Sequence, residues 1–259
     1  MMITIKVLDK NGNTKFVEHG REEVCLVATS AYELGDRLVV EINEPTYAFV
    51  QLDEALGRPL MYMESNLDFD IPFEEKRICY PPNAFLGNRH LLYVKKAKEW
   101  EIASYRNLAF NPNDSHKDCK CYPHTYANVE TRGESVFASR NAIDGVVANH
   151  SHGEWPYASW GINQDPEAMF TLDFGREVLI NKIVIYERAD FPHDNWWEKI
   201  TVEFSDGEER VLELVKTDGG QAFEIPEKKI KWLRLKNLIK ADDPSPFPAL
   251  TQIEVYGRG

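Results

Sequence analysis

The chain has 259 residues and a formal net charge of −12 at pH 7. This length exceeds one average domain, so one large or two small domains are expected. The acidic balance argues against partners that present phosphate, so we expect neither nucleic acid nor an anionic membrane surface. No apolar run approaches the roughly 20 residues that cross a bilayer.

The amino terminus has the pattern of a strand from its first residues. Ile3, Ile5 and Val7 alternate with polar residues, and Asn11-Gly12 then supplies a hairpin turn. Since no basic segment precedes an apolar one, we expect no signal peptide, which favours a cytoplasmic protein unless the sequence was trimmed. The four cysteines are Cys25, Cys79, Cys119 and Cys121. They form no disulfide framework, which agrees with a reducing compartment.

Short apolar runs separated by turn signals continue through the first hundred residues. We predict strands at residues 23–28, 37–42, 47–52, 60–63 and 91–94, and helical character only at 18–23 and 95–105. Strands of this length and spacing indicate a β-sandwich. We therefore place an accessory or oligomerisation domain at residues 1–98. An exposed sandwich edge could pair with itself, which would give a homo-oligomer.

The remaining residues, 99–259, predict a second all-β domain. Phe170, Leu172 and Phe174 share one face of a strand, and Ile200 and Val202 share one face of another. About eight such strands without a long helix indicate a jelly roll or a similar sandwich.

Four motifs in this second region carry a family resemblance. They are the turn 141–145 (Asn-Ala-Ile-Asp-Gly), Trp160, the strand 172–175 (Leu-Asp-Phe-Gly) and the closing segment 253–257 (Ile-Glu-Val-Tyr-Gly). In order and spacing they resemble discoidin-like (coagulation-factor C-type) domains, over residues 101–259. Many bacterial carbohydrate-binding modules share that galactose-binding-like jelly roll. The resemblance implies a binding function, with a saccharide as the expected ligand.

The resemblance also implies a structural calcium ion at the turn 141–145. Asp144 would supply a carboxylate, Asn141 and Val146 would supply carbonyl oxygens, and Glu254 would close the site from the last strand. Oxygen ligands in an irregular loop suit a hard cation. The alternative is that Asp144-Gly145 is only a tight turn.

Two loops of this region carry an unusual density of rings and polar groups. A sugar site needs flat apolar rings to stack on a pyranose and polar groups to bind its hydroxyls. The candidate ligand-binding residues are His152, Trp155, Tyr157, Arg188, Asp190, His193, Asp194, Trp196 and Trp197. The alternative is that two or three of the tryptophans are core residues, Trp160 above all. We expect a single shallow site to bind weakly, with a Kd of roughly micromolar to millimolar.

Two other functions stay open. His193, Asp190 and Arg188 include acid and base groups that could act in a glycoside hydrolase or lyase, although no spacing among them is diagnostic. A protein–protein adaptor is the third class. The sequence favours non-catalytic binding of a saccharide.

A second metal motif lies near the start of the second region. His116, Cys119, Cys121 and His124 are four residues that could hold zinc within a short segment. Cys-x-Cys is not the usual zinc-knuckle spacing, and small buried cysteines are more common than zinc ligands.

Overall fold

The computed structural model describes residues 1–117, 120–150, 153–189 and 195–259. Within these ranges the chain is built from antiparallel strands, and the α-helix is a single short segment, α1 (Glu99–Ile102). No helix in these ranges has the length and apolar character needed to cross a membrane. The predicted all-β fold class is confirmed.

The first region contains eight strands in two sheets. Their bounds are β1 Met2–Leu8, β2 Thr14–Arg21, β3 Glu23–Ala28, β4 Arg37–Ile42, β5 Thr46–Gln51, β6 Leu60–Met63, β7 Leu67–Asp70 and β8 His90–Lys96, with a 3₁₀ turn at Glu74–Arg77. One sheet has the order β2-β1-β4-β7. The other has the order β6-β5-β8-β3 and gains one strand from the second region.

The predicted hairpin turn after β1 is confirmed. Gly12 has a φ of 84°, and the carboxylate of Asp9 accepts hydrogen bonds from the backbone of Asn11 and Asn13, both at 2.8 Å. The predicted helical character at residues 18–23 is wrong, because β2 extends to Arg21 in register with β1, where Ile5 pairs with Glu18. Ladder hydrogen bonds there override local propensity.

In the described residues the second region contains nine strands, eight of which form one sheet. Its strands are β9 Arg106–Asn107, β10 Cys121–Tyr122, β11 His124–Ala127, β12 Trp160–Gly161, β13 Phe170–Glu187, β14 Trp197–Phe204, β15 Glu209–Glu213, β16 Gln221–Lys240 and β17 Ala249–Arg258, with 3₁₀ turns at Thr131–Gly133, Ser135–Phe137 and Ser139–Ile143. The order is β12-β17-β13-β16-β14-β15. The β13–β16 register shifts between Asp173 and Val178, and such irregularities let a long strand bend and serve both layers of a sandwich.

Each region has its own apolar core, but the first core includes residues from the second region. Cys121, Val136, Phe137 and Tyr157 are buried with the side chains of residues 3–94. Strand β10 also pairs with β6 at the edge of the amino-terminal sheet. The two regions therefore pack together.

The buried contact between the regions is also polar. Arg140 is 5 % exposed, donates to the backbone oxygens of Asp114 (2.9 Å) and Pro112 (3.0 Å), and lies over the ring of Tyr80 at 4.3 Å. Asn113 donates to the backbone oxygen of Val50 at 3.1 Å. Because these buried polar groups are hydrogen-bonded only in this arrangement, they favour one orientation of the two regions.

Candidate functional site

One of the two loops proposed to form a ligand site contacts Arg188, directly after β13. Its Nη1 donates to the backbone oxygen of Tyr157 at 2.5 Å, and its backbone nitrogen donates to Ala249 at 2.8 Å. The guanidinium also lies 5.7 Å from the centre of the Tyr157 ring. The structure thus brings together two residues that are distant in sequence, at the end of the second sandwich.

Three of the candidate rings are buried. Trp197 is 0 % exposed and lies 6.2 Å from Trp160, and Tyr157 is packed into the first core. Trp160 is a core residue, which is the alternative that the sequence analysis gave for it. Because Trp197 begins β14 on the inward face, its ring has no surface left for a ligand. The rings that keep solvent contact are Trp155 and Trp196, both partly exposed.

Four other candidates lie outside the described residues. They are His152, Asp190, His193 and Asp194. Of the predicted catalytic set, the structure therefore describes Arg188 alone.

A cleft of about 180 Å³ opens beside Arg188. We call it the Phe247 cleft, and its key lining residues are Arg132, Ser159, Asn163, Gln164, Arg188 and Phe247. Ser159 is 0 % exposed, and its hydroxyl has no hydrogen-bond partner among the described residues. Phe247 is 44 % exposed. A buried hydroxyl without a partner is uncommon and commonly marks a bound water or ligand.

The loop after β12 is held in an uncommon conformation at this cleft. Asn163 and Gln164 have φ angles of 50° and 59°, in the left-handed region that costs energy for residues other than glycine. The backbone nitrogen of Asn163 donates to Thr131 Oγ1 at 2.9 Å. Both amide side chains are exposed at the cleft, and paired amides of this kind suit hydroxyl groups.

Except for Arg188, the sequence analysis missed these cleft residues. Asn163-Gln164 carries no distinctive pattern, and Phe247 lies in a proline-rich segment, residues 244–248. The one available signal was a large aromatic residue between two prolines in a segment with no strand pattern.

A buried carboxyl group lies directly behind Arg188. Glu187 is 0 % exposed, and it accepts hydrogen bonds from the Trp197 backbone nitrogen (2.6 Å) and from Gln221 Nε2 (3.2 Å). Burial raises the pKa of Glu187 to about 8, and these two bonds only partly oppose it. The group is therefore mainly protonated at neutral pH.

The residues proposed for calcium are only partly brought together. Asp144 Oδ1 accepts a hydrogen bond from Val146 at 2.8 Å, while the neighbouring nitrogen of Gly145 donates to Gln252 Oε1 at 3.2 Å. Glu254, two residues further along β17, instead accepts a hydrogen bond from the Tyr256 hydroxyl at 3.1 Å. The strand residue that contacts the turn is thus a neutral amide.

A buried cationic side chain, Arg140, acts on the Asp144 carboxyl group. Burial raises the pKa of Asp144 to about 7, and the charge of Arg140 opposes that shift. The side-chain oxygen of Asn141 accepts a hydrogen bond from Arg140 at 2.9 Å. Asn141 and Val146 were predicted to bind through backbone carbonyl oxygens, which suit calcium as well as carboxylates do, so the calcium site stays a prediction.

The zinc motif is not assembled by the described residues. His116 contacts Glu130 Oε2 at 2.8 Å, His124 contacts Asp114 Oδ1 at 2.7 Å, and Cys121 Sγ donates to the backbone oxygen of Ser65 at 3.5 Å. Cys119 lies outside the described residues. Within the ranges that the structure covers, His116, Cys121 and His124 form no cluster with metal-binding separations.

Comparison with known proteins finds similar structures but no similar sequence. No protein-family model matches the chain, and no curated protein matches it. A fucose-binding module of Streptococcus pneumoniae has 18% identity and a TM-score of 0.41, covering 60% of this chain and 99% of its own. Chitosan-binding module 1 of a chitosanase/glucanase from Paenibacillus sp. IK-5 has 17% identity and a TM-score of 0.39, covering 59% and 99%.

A third similar structure is the family 32 carbohydrate-binding module of C. perfringens NanJ in complex with galactose. It has 16% identity and a TM-score of 0.38, covering 51% of this chain and 91% of its own. Over about 60% of its length, the chain is similar to discoidin-like carbohydrate-binding modules.

Proposed function

We propose that the chain binds a saccharide, without chemical change, in the Phe247 cleft. The observation that carries the proposal is the combination of an exposed aromatic ring with a buried, unpartnered Ser159 hydroxyl in one cleft. A sugar has an apolar ring face and a rim of hydroxyl groups, so it matches both features at once.

The remaining lining groups support the same ligand chemistry. Asn163 and Gln164 provide amides that can each donate and accept, and Arg188 provides a fixed cationic fork. Pockets for drug-sized ligands hold about 300–1,000 Å³, so the 180 Å³ of this cleft suits one sugar ring at the end of a glycan. One stacked ring and a few hydrogen bonds give a Kd of roughly micromolar to millimolar.

The loop residues His152, Asp190, His193 and Asp194 remain predicted contacts of the same ligand. Arg188 lines the cleft and precedes residues 190–194 by a single residue, Ala189. A ligand in the cleft would therefore lie close to where that loop begins.

The test is retention of the full chain on a broad panel of immobilised glycans, with products measured in the same samples. We expect retention on at least one glycan, with no new reducing ends and no unsaturated product absorbing in the ultraviolet. New products would replace this proposal with the enzyme alternative, and His193, Asp190 and Arg188 would become the residues to mutate. Retention of no glycan would refute the proposal and favour a protein adaptor.

The site is tested by Phe247→Ala, with Trp100→Ala as the matched control. Trp100 is 72 % exposed and lies on α1, outside the cleft. Loss of a stacked ring should weaken glycan binding by roughly fivefold, since a ring contact contributes about 1 kcal/mol. Equal affinity of Phe247→Ala and Trp100→Ala would show that the ligand lies elsewhere.

A further inference from the structure

A cluster of ligating side chains lies in the first region, and the proposed saccharide site does not use it. Asp53, Glu54 and His90 each offer a ligand atom, and these atoms lie within 4.8 Å of one another. Asp53 is 3 % exposed and His90 is 1 % exposed, whereas Glu54 is exposed. The cluster is thus buried on two sides and reaches solvent at Glu54.

Backbone hydrogen bonds hold both carboxylates in place. Asp53 Oδ1 accepts from the nitrogen of Ala55 and Oδ2 from that of Phe85, both at 2.8 Å. Glu54 Oε1 accepts from the nitrogen of Leu91 at 2.8 Å. Each carboxylate oxygen has two lone pairs, so these bonds leave acceptor capacity for a cation.

The histidine supplies an independent observation. His90 Nε2 is buried and has no hydrogen-bond partner among the described residues, and its ring stacks on Tyr32 at 3.9 Å with an interplanar angle of 19°. A buried ring nitrogen without a partner is costly. A metal ion beside the ring would satisfy it, because neutral imidazole is a common metal ligand.

We propose that Asp53, Glu54 and His90 bind one divalent transition-metal ion, with zinc as the best match. One imidazole nitrogen and two carboxylate oxygens form a borderline donor set, which suits zinc better than calcium or magnesium.

The position of the cluster means that a bound ion would stabilise the contact between the two regions. Residues 53–57 form the turn that faces the second region, and a Cβ added at Gly57 would lie 2.4 Å from the ring of Phe110. The ion would link this turn to β8 through His90. Metal binding therefore fixes a segment at the contact between the two regions.

The experiment is titration of the metal-stripped full chain with zinc, followed by calorimetry and by the melting temperature Tm. We expect one zinc ion per chain and a rise in Tm of roughly 5 °C at saturating metal. Cobalt is the second probe, because its visible absorption bands report direct coordination. Glu54→Gln should weaken zinc binding by at least about tenfold while sparing the fold, because Glu54 is exposed.

The matched control is His116→Gln, which removes a surface histidine paired with Glu130. It should leave zinc affinity and the cobalt spectrum unchanged. Three outcomes would overturn the proposal: no zinc binding, binding unaffected by Glu54→Gln, or binding lost in His116→Gln. His90→Ala, if it folds, should abolish the cobalt bands.

Discussion

Asp144 offers a direct test of the charge balance at the turn 141–145. The carboxyl group is partly buried, and its pKa is raised to about 7 from an ordinary 3.8. Between these two values the native state binds more protons than the unfolded state. The free energy of unfolding therefore falls as pH rises through this window.

The size of the effect follows from the same two values. Each unit of pKa difference between the folded and unfolded states is worth about 1.4 kcal/mol. A rise in the pKa from 3.8 to about 7 therefore lowers the free energy of unfolding by at most about 4 kcal/mol. Because the Asp144 carboxyl group keeps some solvent contact, solvent screening reduces this change in the free energy of unfolding. We expect a change of about 2 kcal/mol. Asp144→Asn resembles the protonated form and keeps an oxygen for the Val146 bond. The variant should therefore match the parent near pH 4 and be about 2 kcal/mol more stable at pH 8.

The assay is urea unfolding of both proteins at pH 4, 6 and 8, with EDTA and with millimolar calcium. Asp165→Asn is the matched control, because Asp165 makes the same type of turn bond to the nitrogen of Glu167, at 2.9 Å. A parent that calcium stabilises strongly, together with an Asp144→Asn variant that is less stable at pH 8, would refute this reasoning. It would also support the predicted calcium site.

Two further predictions concern stability. Glu187→Gln should abolish a loss of stability that the parent shows as pH rises from about 4.5 to about 8, because in this window the folded state keeps a proton on Glu187 that the unfolded state has lost; urea unfolding at pH 5 and pH 8.5 measures this, and an unchanged pH dependence would contradict it. Gly145→Ala should destabilise the protein by about 2–4 kcal/mol, since its φ is 89° and a Cβ would lie 2.6 Å from the Phe110 ring. Gly12→Ala is its control, with a φ of 84° and no atom within 4 Å of the added Cβ; if the two variants lose equal stability in thermal unfolding, the steric argument is wrong.

Much of the fold is predictable from local patterns. Short apolar runs bounded by turn signals predicted β3, β4 and β6 with the bounds that the structure has, because the residues that form and end a strand are neighbours in sequence. Asn11-Gly12 predicted its hairpin for a similarly local reason, since the turn needs a residue with positive φ.

The candidate site was less predictable because burial depends on partners that are distant in sequence. Trp196 and Trp197 are neighbours with the same side chain, yet only Trp197 points into the core. The register of β14 against β16, in which Trp197 pairs with Lys240, decides that the Trp197 side chain lies on the buried face. No local pattern marks Glu187 and Arg188 as buried charges, and only tertiary packing places both inside.

By itself, the sequence thus determined the all-β class, most strands of the first region and the resemblance of the second region to carbohydrate-binding modules. Tertiary structure alone decided which rings stay open to solvent, how Ser159 and Phe247 come to line one cleft, and how Asp53 comes to lie beside His90. The physical reason is that strand alternation is a local property of the chain. A site is a set of long-range contacts, whose register and loop positions are fixed only when the sheets pack.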